Sequence, residues 1–288
     1  MAQLTYITTC KGRLAHLKQT LPLAMAQRLS CVVVDYSCPD GTGAWVAEHF
    51  PEVTVVRIAG QAGFNAAKAR NAGAAAATTP WLIFADPDVL LAPKFVETVS
   101  PNLATGTFYR ASPVTPQTWG TIVCARDDFA AVGGYDETYE GWGGEDDDLI
   151  WSLMITGRKP AGFAPALLSE IAHSNEERTR FHDIGDLLVQ QIVNHTYLSA
   201  KFDLWRLVGK ALPMPERKAM YEKIKRAVAV FDQRGRTTPL VIELAVPNVI
   251  IRGPADDAGA HAPEVGVVQR KLTYAITVQP PASRGEAR

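Results

Sequence analysis

The chain has 288 residues, 47% of them hydrophobic, and a formal net charge of −1. Such a length supports one large domain, or a domain with an extension, and the near-neutral balance argues against nucleic acid as the main partner. The start, MAQLTYITTCKGR, lacks the basic segment and apolar run of a secretory signal, and no stretch is apolar enough to span a bilayer, so a cytoplasmic location is expected. The cysteines, Cys10, Cys31, Cys38 and Cys124, form no C-x-x-C pair and are expected to be buried, reduced thiols.

Leu4–Thr9 reads as a strand, followed by a helical pattern from Arg13 that Pro22 interrupts. Cys31–Tyr36 is a continuous apolar run of the buried-strand type. Asp40-Gly41-Thr42 reads as a turn and cap before a helix over Ala44–His49, and Val53–Ile58 as a third strand. Asn65 caps an alanine-rich helix to about Ala77, and Trp81–Ala85 is a fourth strand ending on Asp86-Pro87-Asp88. This βαβαβαβ order predicts an α/β fold, a mostly parallel sheet with helices on both faces. Ligands of such sheets bind at the carboxyl ends of the strands, where Thr8-Thr9, Asp35 and Asp86-Pro87-Asp88 fall.

Short β-like pieces, Thr107–Tyr109 and Thr121–Ala125, then surround a short helix near Asp127–Val132. An acidic helix follows, and an extended piece, Ala166–Ala172, ends at His173. From residue 182 to about 232 the pattern is helical. Two β-branched runs, Leu240–Ile251 and Val265–Val278, are expected to pair as a hairpin, and the tail PPASRGEAR to be disordered. The expected division is residues 1–200 as the main domain and 201–288 as an extension.

Gly141-Trp142-Gly143-Gly144-Glu145-Asp146-Asp147-Asp148 is the most informative stretch. Like charges this close repel, and no Lys or Arg sits among them. Glycine lets backbone approach a ligand, and tryptophan supplies a flat apolar wall with one N–H donor. The combination points to a pocket for a polar, ring-shaped molecule with a carboxylate ready to accept a proton. The alternative is an acidic first turn favoured by the helix dipole, which leaves Trp-Gly-Gly unexplained.

Two acids one residue apart after the strand WLIFA, Asp86 and Asp88, can hold a divalent cation and the sugar of a nucleotide; a turn with an Asx bond is the alternative. His173 follows the acidic stretch, and imidazole with carboxylates suits manganese; a structural histidine is the alternative, and Glu170 could face the same ion. Asp35 can accept from a pyrimidine base or a ribose hydroxyl, or open a turn toward Gly41. Lys68 and Arg70 can reach a diphosphate, brace the acidic loop, or face solvent. Arg217, Lys218, Lys223, Lys225 and Arg226 lie on an amphipathic helix; a solvated face is the favoured reading, with peripheral contact to an anionic membrane as the alternative.

These residues resemble metal-dependent GT-A glycosyltransferases: family 2 enzymes in the first half, and the galactosyltransferase and N-acetylgalactosaminyltransferase C-terminal region in the second. Phe64-Asn65-Ala66-Ala67-Lys68-Ala69-Arg70-Asn71-Ala72-Gly73 is similar to the N-x-A-x-x-x-N-x-G helix before the D-x-D strand. Gly133-Gly134-Tyr135-Asp136 and Gly141-Trp142-Gly143-Gly144-Glu145-Asp146 resemble the G-[FY]-[DP] and W-G-G-E-D block. The resemblance spans roughly residues 3 to 200 and implies a GT-A fold and an inverting transferase using a UDP-sugar and Mn2+.

It also implies roles. Asp146 would be the catalytic base, with Glu145 holding the donor sugar or acceptor. Donor contacts would come from Asp35, Asp86, Trp142 and Gly143, and the metal from Asp88 and His173; Thr8 at a strand end, and Asn65, Lys68 and Arg70 on the helix before the D-x-D strand, are further donor-binding candidates from their own places in the chain. Family members can add a methionine three residues before that histidine, where this chain has Glu170. A threonine near the position that tunes donor choice, Thr118, favours an acetamido sugar. The acceptor would be a glycan or glycoconjugate hydroxyl, in surface polysaccharide or glycoconjugate assembly. A non-catalytic sugar-nucleotide or glycan-binding module is the competing class, but it needs no proton acceptor. A nucleotidyltransferase would need a better Gly-rich basic loop than Cys10-Lys11-Gly12-Arg13.

Overall fold

A computed structural model describes residues 4–182, 186–252 and 264–278. Two compact units divide at residue 185: Met1–Gly185 and Asp186–Arg288. The boundary expected at residue 200 falls inside a continuous helix, Leu187–Val208. No helix among the described residues is long and apolar enough to cross a membrane.

The first unit opens with β1 (Leu4–Cys10), α1 (Leu14–Met25), β2 (Ser30–Tyr36), α2 (Thr42–His49), β3 (Thr54–Ile58), α3 (Ala66–Ala76) and β4 (Trp81–Phe84). It continues with β5 (Val89–Leu91), α4 (Phe95–Val99), β6 (Thr107–Ala111), β7 (Ile122–Ala125) and α5 (Arg126–Ala131). Then come α6 (Glu145–Ile155), β8 (Lys159–Phe163), β9 (Leu168–Glu170) and α7 (Asn175–Thr179). A seven-stranded sheet has the order β3-β2-β1-β4-β7-β6-β8. The first four strands are parallel, as expected, and the α/β, GT-A-type expectation holds. β7 then runs antiparallel to β4, and β6 antiparallel to β7.

This change of direction builds the site. Because β7 opposes β4, its start and the preceding loop lie at the carboxyl end of β4, with Phe84 opposite Ile122. The three-residue pair β5–β9 does the same for the histidine: Val89 faces Glu170, and Ile171 N–H donates to Asp88 O at 2.9 Å. The extended piece expected over Ala166–Ala172 is shorter, a 3-10 turn at Pro165–Leu167 followed by β9.

Alternation along the strands feeds two cores, one on each face. Leu4 and Tyr6 of β1 pack with Leu14, Leu17 and Leu21 of α1, while Ile7 packs with Ala67 and Ala69 of α3 and Leu149 and Leu153 of α6. Gly73 permits this closeness, since a Cβ there would strike Ile7 and Val34. Pro22 does not interrupt α1. It sits on the exposed face, so the Lys18 carbonyl it leaves without an amide partner can meet water, while Leu17, Leu21 and Ala24 stay buried.

In the second unit, α8 (Leu187–Val208) and α9 (Met214–Gln233) precede the antiparallel strands β10 (Leu240–Arg252) and β11 (Glu264–Ile276). Leu240, Ile242, Leu244 and Val246 are buried at alternate positions, and Tyr221 Oη donates to Asn194 Oδ1 at 2.7 Å to tie the helices. The register shifts between Val246 and Val249, where Pro247 has no N–H to give the ladder. Lys218, Lys223, Lys225 and Arg226 are exposed, as a solvated face requires. The expected disordered tail lies outside the described residues.

Candidate active site

Four consecutive acids open α6; the first two share Arg70, and the other two have neighbours of their own. Gly144, at φ 98°, turns the chain into the helix, a conformation a side chain would strain. Glu145 accepts from Arg70 Nη1 at 3.0 Å. Asp146 Oδ1 also lies 3.0 Å from that nitrogen but lacks an aligned hydrogen bond. Asp147 accepts from the Trp119 indole N–H at 2.9 Å. Asp148 is buried and accepts from Tyr139 Oη at 3.1 Å, with Ser152 Oγ at 3.4 Å.

Arg70 is the centre of this arrangement. It is buried, lies over the Tyr135 ring, and its Nη2 donates to Asp86 Oδ1 at 2.9 Å. Burial alone would lower its pKa, but Asp146, Tyr135, Asp86 and Glu145 more than reverse this. Arg70 therefore braces the acids, one of the alternatives that the sequence left open.

Asp146 is the perturbed acid. Burial, aided by Glu145, Asp86 and Asp147 and opposed by Arg70, pushes its carboxyl up from 3.8 to about 8. The side chain keeps 17% exposure. Gly120 stands against it: a Cβ there would lie 2.8 Å from Asp146 Oδ2.

Asp88 Oδ2 is paired with His173 Nε2 and lies 3.4 Å from Arg13 Nη1. Asp88 Oδ1 is buried without a hydrogen-bond partner. A buried carboxylate oxygen without a donor beside an imidazole nitrogen fits a divalent cation. Among the described residues no group of three His, Cys, Asp or Glu side chains forms a metal site; Glu170 is exposed. Two protein ligands leave positions for phosphate oxygens and water. His16 sits 5.9 Å from His173, ring to ring, and 3.5 Å from Glu177.

The remaining expected donor residues differ in what they do. Asp35 accepts from the backbone N–H groups of Cys38 and Gly43, both at 2.8 Å, so the turn-opening alternative describes its contacts here. Asn65 caps α3 through Lys68 N–H at 2.8 Å and donates to Tyr139 O at 3.0 Å. Thr8 is fully buried within β1. Lys68 and Trp142 are half-buried, Asp86 keeps 40% side-chain exposure, and Gly143 has open space where a Cβ would be. Thr118 is buried and its hydroxyl meets Thr115 at 3.0 Å.

Sequence reasoning missed Arg13, Asn71 and Trp119. Asn71 Oδ1 accepts from Tyr135 N–H at 2.9 Å and its amide donates to Tyr135 O and Glu137 Oε1, pinning the loop ahead of the acids. The second Asn of the N-x-A-x-x-x-N-x-G pattern was the available signal. Cys38 also departs from expectation. It is half-buried, and hydrogen bonding with Cys10, aided by Thr42 and Gly12 N–H, brings its thiol down to about 5.

Two sequence profiles match the chain in tandem: glycosyl transferase family 2 over residues 5–116, and the one described as the N-terminal domain of galactosyltransferase over residues 108–164. Among solved structures, the mannosyltransferase PcManGT from Pyrobaculum calidifontis, in complex with GDP-Man and Mn2+, is 16% identical, with a TM-score of 0.56 over 81% of this chain and 79% of that one. TarS 1-349 of S. aureus is 12% identical, with a TM-score of 0.53 over 81% and 73%. Its complex with UDP-GlcNAc is 10% identical, with a TM-score of 0.53 over 80% and 73%. These likenesses show the fold. No curated protein sequence matches the chain. The tandem profiles on this fold identify the chain as a GT-A, family 2-like glycosyltransferase.

Proposed function

We propose that this GT-A glycosyltransferase is an inverting, metal-dependent enzyme that moves a hexose or N-acetylhexosamine from a UDP-sugar to a hydroxyl of a glycan or glycoconjugate. Galactose and N-acetylgalactosamine are the favoured sugars. The observation that carries this reading is the cluster in which Arg70 gathers Asp146, Glu145 and Asp86, with Asp88, two residues beyond Asp86, meeting His173.

The acceptor hydroxyl must lose its proton as its oxygen attacks the anomeric carbon. Asp146 takes that proton, and a base is most effective when its pKa lies near the working pH. Arg70 holds Asp146, Glu145 and Asp86 in one cluster, which fixes the base in place. Asp88 and His173 would hold manganese, which when bound neutralises charge on the leaving diphosphate. Arg13, against Asp88, and Lys68 add positive charge for the same phosphates. Gly143 leaves room for the donor sugar. Asp35, at the end of β2, would meet the base or ribose with the lone pairs that its two backbone donors leave free.

Support comes from the neighbours: one holds GDP-Man and Mn2+, the other UDP-GlcNAc. The test is release of nucleoside diphosphate from a panel of UDP-sugars and GDP-mannose, with and without manganese. Preferential, manganese-dependent turnover of UDP-galactose or UDP-N-acetylgalactosamine is expected; turnover of GDP-mannose alone would overturn the donor assignment. Surface polysaccharide or glycoconjugate assembly in the cytoplasm is the setting this reading suits.

A further inference from the structure

We propose that Trp119 is the platform of the acceptor subsite, on which a pyranose ring stacks so that one of its hydroxyls meets Asp146. The proposal rests on the reading above, that the acceptor is a sugar hydroxyl, and names the side chain that holds it.

Trp119 is 40% exposed, although indole carries a large apolar surface that folding ordinarily buries. Among the described residues of the first unit, the other exposed large apolar side chains are Trp151 and Met154, both on α6. Trp119 is nevertheless held in place. Its indole N–H donates to Asp147 Oδ1 at 2.9 Å. Its carbonyl accepts from Arg110 Nη2 at 2.8 Å, and the Arg110 guanidinium carbon sits 4.5 Å from the ring centre. A cation on one face of an indole is a favourable arrangement, and it leaves the other face for a ligand. Sugars present flat patches of C–H groups, and an immobilised aromatic ring takes such a patch at small cost in side-chain entropy.

Position selects the acceptor rather than the donor. Trp119 precedes Gly120, and a Cβ on Gly120 would meet Asp146 Oδ2 at 2.8 Å and Arg70 Nη2 at 3.2 Å. The platform is therefore adjacent in sequence to the backbone that touches the base. The Asp88–His173 pair, by contrast, is built from the β5–β9 side. The acidic stretch thus divides its work: Asp146 takes the proton, and Asp147 fixes the ring that presents the hydroxyl.

The test uses the full chain and methyl pyranosides of glucose, galactose, xylose and N-acetylglucosamine as probes. Saturation-transfer NMR, with UDP and manganese present, reads binding without requiring turnover. Transfer kinetics read the KM values separately. Trp119→Ala is expected to weaken pyranoside binding and raise its KM about tenfold, leaving the UDP-sugar KM within about twofold. Trp119→Phe keeps a ring and is expected to retain most of the affinity, which separates loss of the platform from loss of the fold. Absence of binding of every pyranoside to wild type, or equal binding to wild type and Trp119→Ala, would overturn the proposal. Failure of every sugar nucleotide to react would instead sink the proposed function, while the NMR arm would still decide on Trp119.

Discussion

Replacing Asp146 with asparagine keeps size and hydrogen-bonding capacity but removes the ability to take a proton. In the wild type, burial and three neighbouring acids push the carboxyl to about 8 against the pull of Arg70. The fraction able to act as base then rises from about 1% at pH 6 to about 90% at pH 9, so kcat/KM should climb nearly a hundredfold over that range. Asp146→Asn should lose the slope and run at least about a hundredfold slower at pH 9. Stability moves the opposite way. With its folded pKa above its unfolded value, this carboxyl costs the fold nothing below about pH 4, and the cost grows as pH rises to about 8. Asp146→Asn should therefore melt with wild type at pH 4 and several degrees above it at pH 9. Rates by diphosphate release and melting by circular dichroism, both across pH, decide the matter. A flat wild-type profile, or a variant with near-normal rate, would refute the assignment. Glu145, which shares Arg70 with Asp146, would be the next candidate.

Three further outcomes follow from the geometry. Excess EDTA should abolish diphosphate release, and His173→Ala should lower manganese affinity about 10- to 100-fold, read by titration calorimetry with UDP present; full activity in EDTA would remove the metal from the account. Arg70→Met leaves three carboxylates without their shared cation, so it should cost about 3–5 kcal/mol in denaturant unfolding; a loss below about 1 kcal/mol, the range of an exposed pair, would mean that Arg70 is not the brace. Cys38, whose thiol is lowered by hydrogen bonding with Cys10, Thr42 and the Gly12 N–H, should react with iodoacetamide ahead of the buried Cys10, Cys31 and Cys124; peptide mass spectrometry showing another cysteine labelled first would contradict its setting.

The first four strands were legible because their signals are local: CVVVDY is a continuous apolar run, and WLIFA ends on acids. β8 was not, since KPAGF carries Pro and Gly and little strand propensity. The meeting of Asp88 with His173 depends on two three-residue strands far apart in sequence, and no pattern of that length announces its partner. The acids of α6 could be seen as a cluster. That Arg70 of α3 lies buried against two of them depends on the packing of α3 near α6, and Trp119 reaches a third from the loop that the reversal of β7 against β4 brings there. Asn65 could be read as a cap from its place before the alanine-rich helix, yet its second bond, to Tyr139 O, depends on tertiary packing.

The central claim is direct displacement at the anomeric carbon, with Asp146 as base and no covalent sugar–enzyme intermediate. The anomeric configuration of the transferred sugar tests it most directly. With an α-linked UDP-sugar, manganese and a methyl pyranoside that accepts it, the initial product should carry a β linkage by proton NMR. An α-linked product would mean retention and would contradict the account.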